Sequence, residues 1–154
     1  MTDHNTAMDR FKKGAKAFAE KDFKTGVDEF TKSIAMDPAF GLAYASRGAA
    51  FMKLNRLEES LADFGRAIEL EPDRPGPYHL RGLVREKLGD HEGALADFGT
   101  AIDLNPDYSA AYVSRAALQI KLGKDDLATE DVQMIHALTE KNIQDFSREN
   151  NIWR

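Results

Sequence analysis

Three prolines, Pro38, Pro72 and Pro106, stand 34 residues apart. Each closes a similar phrase: FTKSIAMDP, FGRAIELEP and FGTAIDLNP. A second phrase recurs ahead of it, as YASRGAAFMKLNR (44–56), YHLRGLVREKLGD (78–90) and YVSRAALQIKLGK (112–124). A looser copy, RFKKGAKAFAEKD, occupies 10–22, and a fourth unit carries Glu140 where the proline would fall. A fixed period of this length restricts a chain to a stack of one supersecondary unit, because a single unit cannot bury its apolar face alone. The expected division is a single domain, 1–154, with units at about 7–40, 41–74, 75–108 and 109–142 and a C-terminal helix or tail over 139–154.

Within a unit the apolar spacing is helical. Leu42, Ala45, Ala49 and Met52 form one stripe, and Leu57, Leu61, Phe64 and Ile68 a second. Between them, Asn55, Gly89 and Gly123 hold one equivalent position, where a residue tolerant of left-handed backbone ends a helix. Lys21 departs from that pattern. The proline then stops the second helix, since it lacks an N–H and pushes its predecessor from helical angles. Pro75 fits the first turn of the following helix. Each unit reads as helix–turn–helix, about 14 residues per helix.

These features resemble the tetratricopeptide repeat family over roughly residues 7–142. The resemblance rests on the period, the proline and three further positions: glycine at the eighth (Gly14, Gly48, Gly82; Ala116 departs), a small residue at the twentieth (Gly26, Ser60, Ala94, Ala128) and an aromatic at the twenty-fourth (Phe30, Phe64, Phe98; Val132 departs). It implies an all-α, right-handed solenoid of stacked antiparallel helix pairs, the first helix of each lining a concave groove. The small eighth residues would let paired helices approach, and the phenylalanines would plug the joints. Ile143 and Phe146, in a terminal capping helix, would cover the last open face; Trp153 is a cap or a ragged end.

Charge follows the same period. Lys13, Arg47, Arg81 and Arg115 stand at the seventh position, and Glu29, Asp63, Asp97 and Asp131 at the twenty-third. Matched signs at repeated spacing predict a structural ion-pair ladder in preference to a basic stripe for an acidic partner. Lys53, Lys87 and Lys121 recur near the end of the first helices, where a cation suits the helix dipole; the alternative is a basic rung along the groove edge. Gly65 and Gly99 are equivalent and fall inside second helices, through duplication or through close approach of another helix.

By the resemblance, the groove-facing positions are Met8, Phe11, Ala15 and Phe18; Leu42, Ala45, Ala49 and Met52; Gly76, His79, Leu83 and Glu86; and Ala110, Val113, Ala117 and Ile120. With Lys53, Lys87 and Lys121 beside them, the larger of these make a candidate peptide site, mainly apolar, with adaptable methionines. Several are equally suited to packing between helices. One subtype of the family clamps a chaperone's C-terminal carboxylate with Lys, Asn and Arg. The matching positions here are Phe11, Ala15, Ser46, Gly76 and Leu80, none of which carries a clamp residue.

The remaining chemistry is sparse. The net charge is −5, from 21 basic and 26 acidic residues, which disfavours a general nucleic-acid binder. Cysteine is absent, which removes disulfides, thiolate nucleophiles and Cys-bearing zinc sites. His4, His79, His91 and His136 have no metal-motif spacing, and there is no phosphate-binding loop or dinucleotide fingerprint. No stretch is apolar enough to span a membrane, and the start does not read as a signal peptide. The expectation is a non-catalytic, cofactor-free adaptor that binds a peptide or partner protein. Its expected compartment is the cytoplasm, or the periplasm if a signal peptide was removed. The alternative is a structural module that self-associates into a homo-oligomer through its terminal units.

Overall fold

The computed structural model describes residues 3–150, with side chains from Thr6 onward; Trp153 and the side chain of His4 lie outside that range. Eight helices follow one another with no strand among the described residues. They are α1 (Asp3–Ala19), α2 (Phe23–Met36), α3 (Gly41–Lys53), α4 (Leu57–Leu70), α5 (Pro75–Lys87), α6 (His91–Leu104), α7 (Ser109–Lys121) and α8 (Asp125–Glu149). They pack as pairs, α1 on α2 through α7 on α8, and each pair packs on the next. The first helices also touch in sequence, α1 to α3 to α5 to α7, and form one continuous face.

The turns inside the pairs share one backbone device. Asn55 (φ 57°), Gly89 (φ 83°) and Gly123 (φ 71°) are left-handed, and so is Lys21 (φ 62°). The repeat geometry therefore imposes the conformation even where the residue does not favour it. After the turn, Asp22 and Asp90 accept hydrogen bonds from the backbone N–H groups of Thr25 and Gly93 at 3.2 and 2.9 Å, capping α2 and α6. Pro75 begins α5, as its spacing predicts.

The joints are built on phenylalanine. Phe30, Phe64 and Phe98 are at most 1% exposed. Each ring lies against the glycine of its own pair: a Cβ added at Gly14, Gly48 or Gly82 would meet it at 2.7, 3.2 or 2.6 Å. Phe30 also packs with Ala50 and Phe51 of the second pair, and Phe98 with Leu118 of the fourth. Gly65 and Gly99 are different. A Cβ at Gly65 meets nothing within 4 Å, and one at Gly99 only an Arg115 nitrogen at 3.8 Å, so no helix approaches closely there. Duplication accounts for that coincidence.

The end of the chain differs from expectation. No separate capping helix follows the fourth pair: α8 runs unbroken from Asp125 to Glu149. The reason is local. α2, α4 and α6 stop just before a proline, whereas Glu140 leaves the hydrogen-bond ladder intact. As a result Ile143 (60% exposed) and Phe146 (59%) do not cover the last open face among the described residues.

Candidate functional site

The expected charge ladder forms at three of its four rungs. Arg47 donates to both carboxylate oxygens of Asp63 at 2.7 and 2.8 Å. Arg81 grips Asp97 at 2.9 and 2.8 Å, and Arg115 grips Asp131 at 2.8 and 2.6 Å. The aspartates are 3–5% exposed. Each arginine is held in its charged form by its aspartate, against the cost of burial. Planar forks that match carboxylate geometry make these pairs directional. They bridge the two helices of a pair, so the arginines form no open basic stripe.

The first rung is a correction. Glu29 is paired not with Lys13 but with Arg10 at 3.1 Å and with Lys32 at 2.7 Å. Arg10 stands almost one turn earlier on α1 and reaches Glu29 with a guanidinium; Lys13 is exposed. Lys32, then Arg10, hold the Glu29 carboxyl below its ordinary range.

The period carries a second network. Tyr44, Tyr78 and Tyr112 each donate a hydroxyl hydrogen bond to the carbonyl of the proline six residues earlier, at 3.2, 3.0 and 3.0 Å. Each ring also lies under the guanidinium of the arginine three residues later, 5.7–5.8 Å from its centroid. The turn between units is thereby tied to the ladder. The signal in the sequence was a tyrosine at a constant offset from each proline, which has no meaning until the carbonyl it reaches is located.

On the concave face, two apolar clefts adjoin. One, of about 160 Å³, lies between α1 and α3 and is lined by Ala15, Phe18, Phe30, Ser46 and Ala49. The other, of about 220 Å³, lies between α3 and α5 and includes Leu42, Ala45, Pro77 and Leu80, with Arg74 at its rim. Ser46 and Ala49 belong to both. Sequence positions alone did not single out Pro77 or Arg74. Pro77 falls between groove positions, and Arg74 sits in a loop whose course only the fold defines.

The other expected groove residues divide by environment. Met8 and Phe11 are half-buried around Ala7, Phe40 and Ala43, and the Phe11 ring is 5.5 Å from that of Phe30 and 5.2 Å from that of Phe40. Met52 and Glu86 are half-buried. Leu83 packs against the Ala94, Phe98 and Leu118 core. Lys53, Lys87 and Lys121 are exposed, as are Ala117, Val113 (51%) and Ile120 (58%).

His79 corrects the groove reading. It is 8% exposed, with Nε2 2.9 Å from the Ser114 hydroxyl and its ring between Phe98 and Tyr108. It seals the joint between the third and fourth pairs, because α7 crosses the place where open groove was expected. Burial pushes its imidazole below the ordinary value. Among the described residues, no group of three or more acidic or histidine side chains could hold a metal. No described helix is long and apolar enough to cross a membrane.

Stacked helix pairs at a 34-residue period define a helical-repeat solenoid. A family model described as Tetratricopeptide repeat matches residues 48–121. Three solved structures show the same fold. The crystal structure of MamA aligns with a TM-score of 0.85 and 21% identity, covering 91% of this chain and 82% of that one. The Arabidopsis OM64 TPR domain aligns at 0.74 and 27%, covering 76% and 97%. The second TPR domain of human RPAP3, in complex with the HSP70 peptide SGPTIEEVD, aligns at 0.73 and 28%, covering 76% and 98%. No curated protein sequence matches the chain. Residues 48–121 therefore match the tetratricopeptide repeat, and the helix pairs on either side continue the same fold.

Proposed function

We propose that the protein is a non-catalytic scaffold that holds an apolar segment of a partner protein in the two clefts joined at Ser46 and Ala49. The observation that carries this reading is the pair of clefts itself. They form a continuous concavity on rigid helices with an apolar floor and few polar groups, the usual character of a recognition site. The RPAP3 relative holds a peptide, which supports peptide binding as the general task. The chemistry of the partner differs here. Ala15, Ser46, Gly76 and Leu80 occupy positions where the chaperone-binding subtype carries its clamp, and all four line the clefts. Aliphatic or aromatic anchors, rather than a terminal carboxylate, suit that surface. Affinity on the order of micromolar is expected for a short segment burying limited area.

Affinity capture followed by mass spectrometry, with Ala49→Glu against wild type, tests the reading. Ala49 is half-buried and shared by both clefts, so a carboxylate there obstructs both. Loss of the captured partner, with Val113→Glu retaining it, is the expected result. Equal recovery by a folded Ala49→Glu protein would remove the clefts as the binding site.

A further inference from the structure

The two ends of the solenoid are unlike. At the N-terminal end, α1 presents Asp9 and Lys16 at positions where later units bury apolar residues such as Ala43 and Leu118. That end is a polar cap of the kind a repeat array needs. At the C-terminal end, the face that meets the next unit elsewhere has no neighbour among the described residues. Val132 is 38% exposed where Phe30, Phe64 and Phe98 are at most 1%, and Ile120 beside it is 58% exposed.

The open face continues along α8. Thr129, Val132, His136, Thr139, Ile143 and Phe146 are all exposed, at alternating spacings of three and four residues. This is a heptad seam about 26 Å long at 1.5 Å per residue. The hydroxyls of Thr129 and Thr139 are already spent on the carbonyls of Asp125 and Ile135, at 2.9 and 2.8 Å. Their methyl groups are left for packing. α8 is one continuous helix, so Ile143 and Phe146 cannot fold back onto the face at Ile120 and Val132.

We propose that the occupant of this seam is α8 of a second copy of the chain, running antiparallel about a two-fold axis between His136 and Thr139. In that register Ile143 of each copy meets Val132 of the other, Phe146 meets Thr129 and the cleft beside Ile120, and His136 meets Thr139. The pattern is self-complementary: bulky residues fall opposite small ones at both ends. Flanking charges permit it. The positions beside the seam are Gln133, Glu140 and Ser147 on one side and Ala128, Ile135, Asn142 and Glu149 on the other. The antiparallel register sets Glu140 near Gln133 and Glu149 near Ala128, and like charges approach only past the ends of the seam, where Glu149 nears the other copy's Asp125 and Asp126. A head-to-tail stack would instead press Lys16 and Asp9 onto Val132. The interface is therefore isologous and closes at two copies. The seam is short and half polar, at the small end for specific interfaces, so a dissociation constant on the order of 10–100 μM is expected.

Sedimentation equilibrium of the full chain from a few to several hundred micromolar tests the assembly. Expected is a monomer–dimer equilibrium weakened at least tenfold by Phe146→Glu, an exposed site whose change leaves the helical circular dichroism intact. The natural absence of cysteine makes the register directly readable. A mixture of Val132→Cys and Ile143→Cys chains should form the mixed disulfide faster than either chain couples with itself. A monomer throughout the range, species larger than a dimer, a dimer indifferent to Phe146→Glu, or faster self-coupling of Ile143→Cys would each overturn the proposal.

Discussion

Replacing Arg47, Arg81 and Arg115 one at a time with methionine separates a shared ladder from three local networks. Arg47→Met and Arg115→Met each strand an aspartate whose side chain is only 7% or 5% exposed. An uncompensated buried carboxylate costs about 3 kcal/mol. Arg47 also donates to Thr31 of the preceding pair at 3.1 Å, so its loss is the larger of the two. Arg81 is different, because Arg85 Nη1 also donates to Asp97, at 2.9 Å. Removing Arg81 leaves that carboxylate one charged partner, and a charge-assisted bond retains about 1.5–3 kcal/mol. The expected cost falls to about 1 kcal/mol. For a chain of 154 residues, 1 kcal/mol shifts Tm by about 2–4 °C. Thermal melts should therefore drop by about 6–12 °C for Arg47→Met and Arg115→Met, and by about 2–4 °C for Arg81→Met. The double variant Arg81→Met/Arg85→Met should fall to the level of Arg115→Met. If Arg81→Met alone costs as much as Arg115→Met, Arg85 does not compensate and the reasoning fails.

Three further outcomes follow from the same geometry. Lys21 sits at φ 62°, so Lys21→Gly should raise stability by about 0.5 kcal/mol in urea unfolding, whereas Lys21→Ala should raise nothing. Gly82→Ala places a Cβ 2.6 Å from the Phe98 ring and should cost about 1–3 kcal/mol, while Gly65→Ala meets open space inside a helix and should gain about 0.5–1 kcal/mol. Burial holds the His79 pKa below its unfolded value of about 6.5. The unfolded chain thus takes up the proton first: stability from the neutral ring is complete above about pH 6.5 and is lost as pH falls below it. Tm should fall further between pH 7.5 and 5.5 in wild type than in His79→Gln, and parallel curves for the two would refute this.

Much of the fold was legible because its signals are local. A proline, a left-handed turn residue and helical apolar spacing act within a few residues of backbone, and each found its place in the structure. The ladder was legible for a related reason. Charges repeated at fixed offsets reflect a fixed hairpin geometry, and three arginines meet their aspartates. The first rung differs because two other cations lie within reach of Glu29, Arg10 one turn earlier on α1 and Lys32 one turn later on α2, and they take the place expected for Lys13. The groove was the least legible part. Whether a groove-facing residue is open depends on the helix of the next unit: Ala49 lines a cleft, Leu83 packs into the core and His79 is covered by α7.

The sequence by itself determined the 34-residue unit, its two helices, the turn between them and the stop after the second, since these follow from backbone sterics over short range. Only the tertiary structure decided what lies between units and at their ends. It placed Phe30, Phe64 and Phe98 on the glycines of their own pairs, tied Tyr44, Tyr78 and Tyr112 each to a proline carbonyl, and left Val132, Ile143 and Phe146 in the open. Burial is a property of the neighbour as much as of the residue. The same repeated position is core at Phe30, Phe64 and Phe98, where the next described pair packs on it, and exposed at Val132.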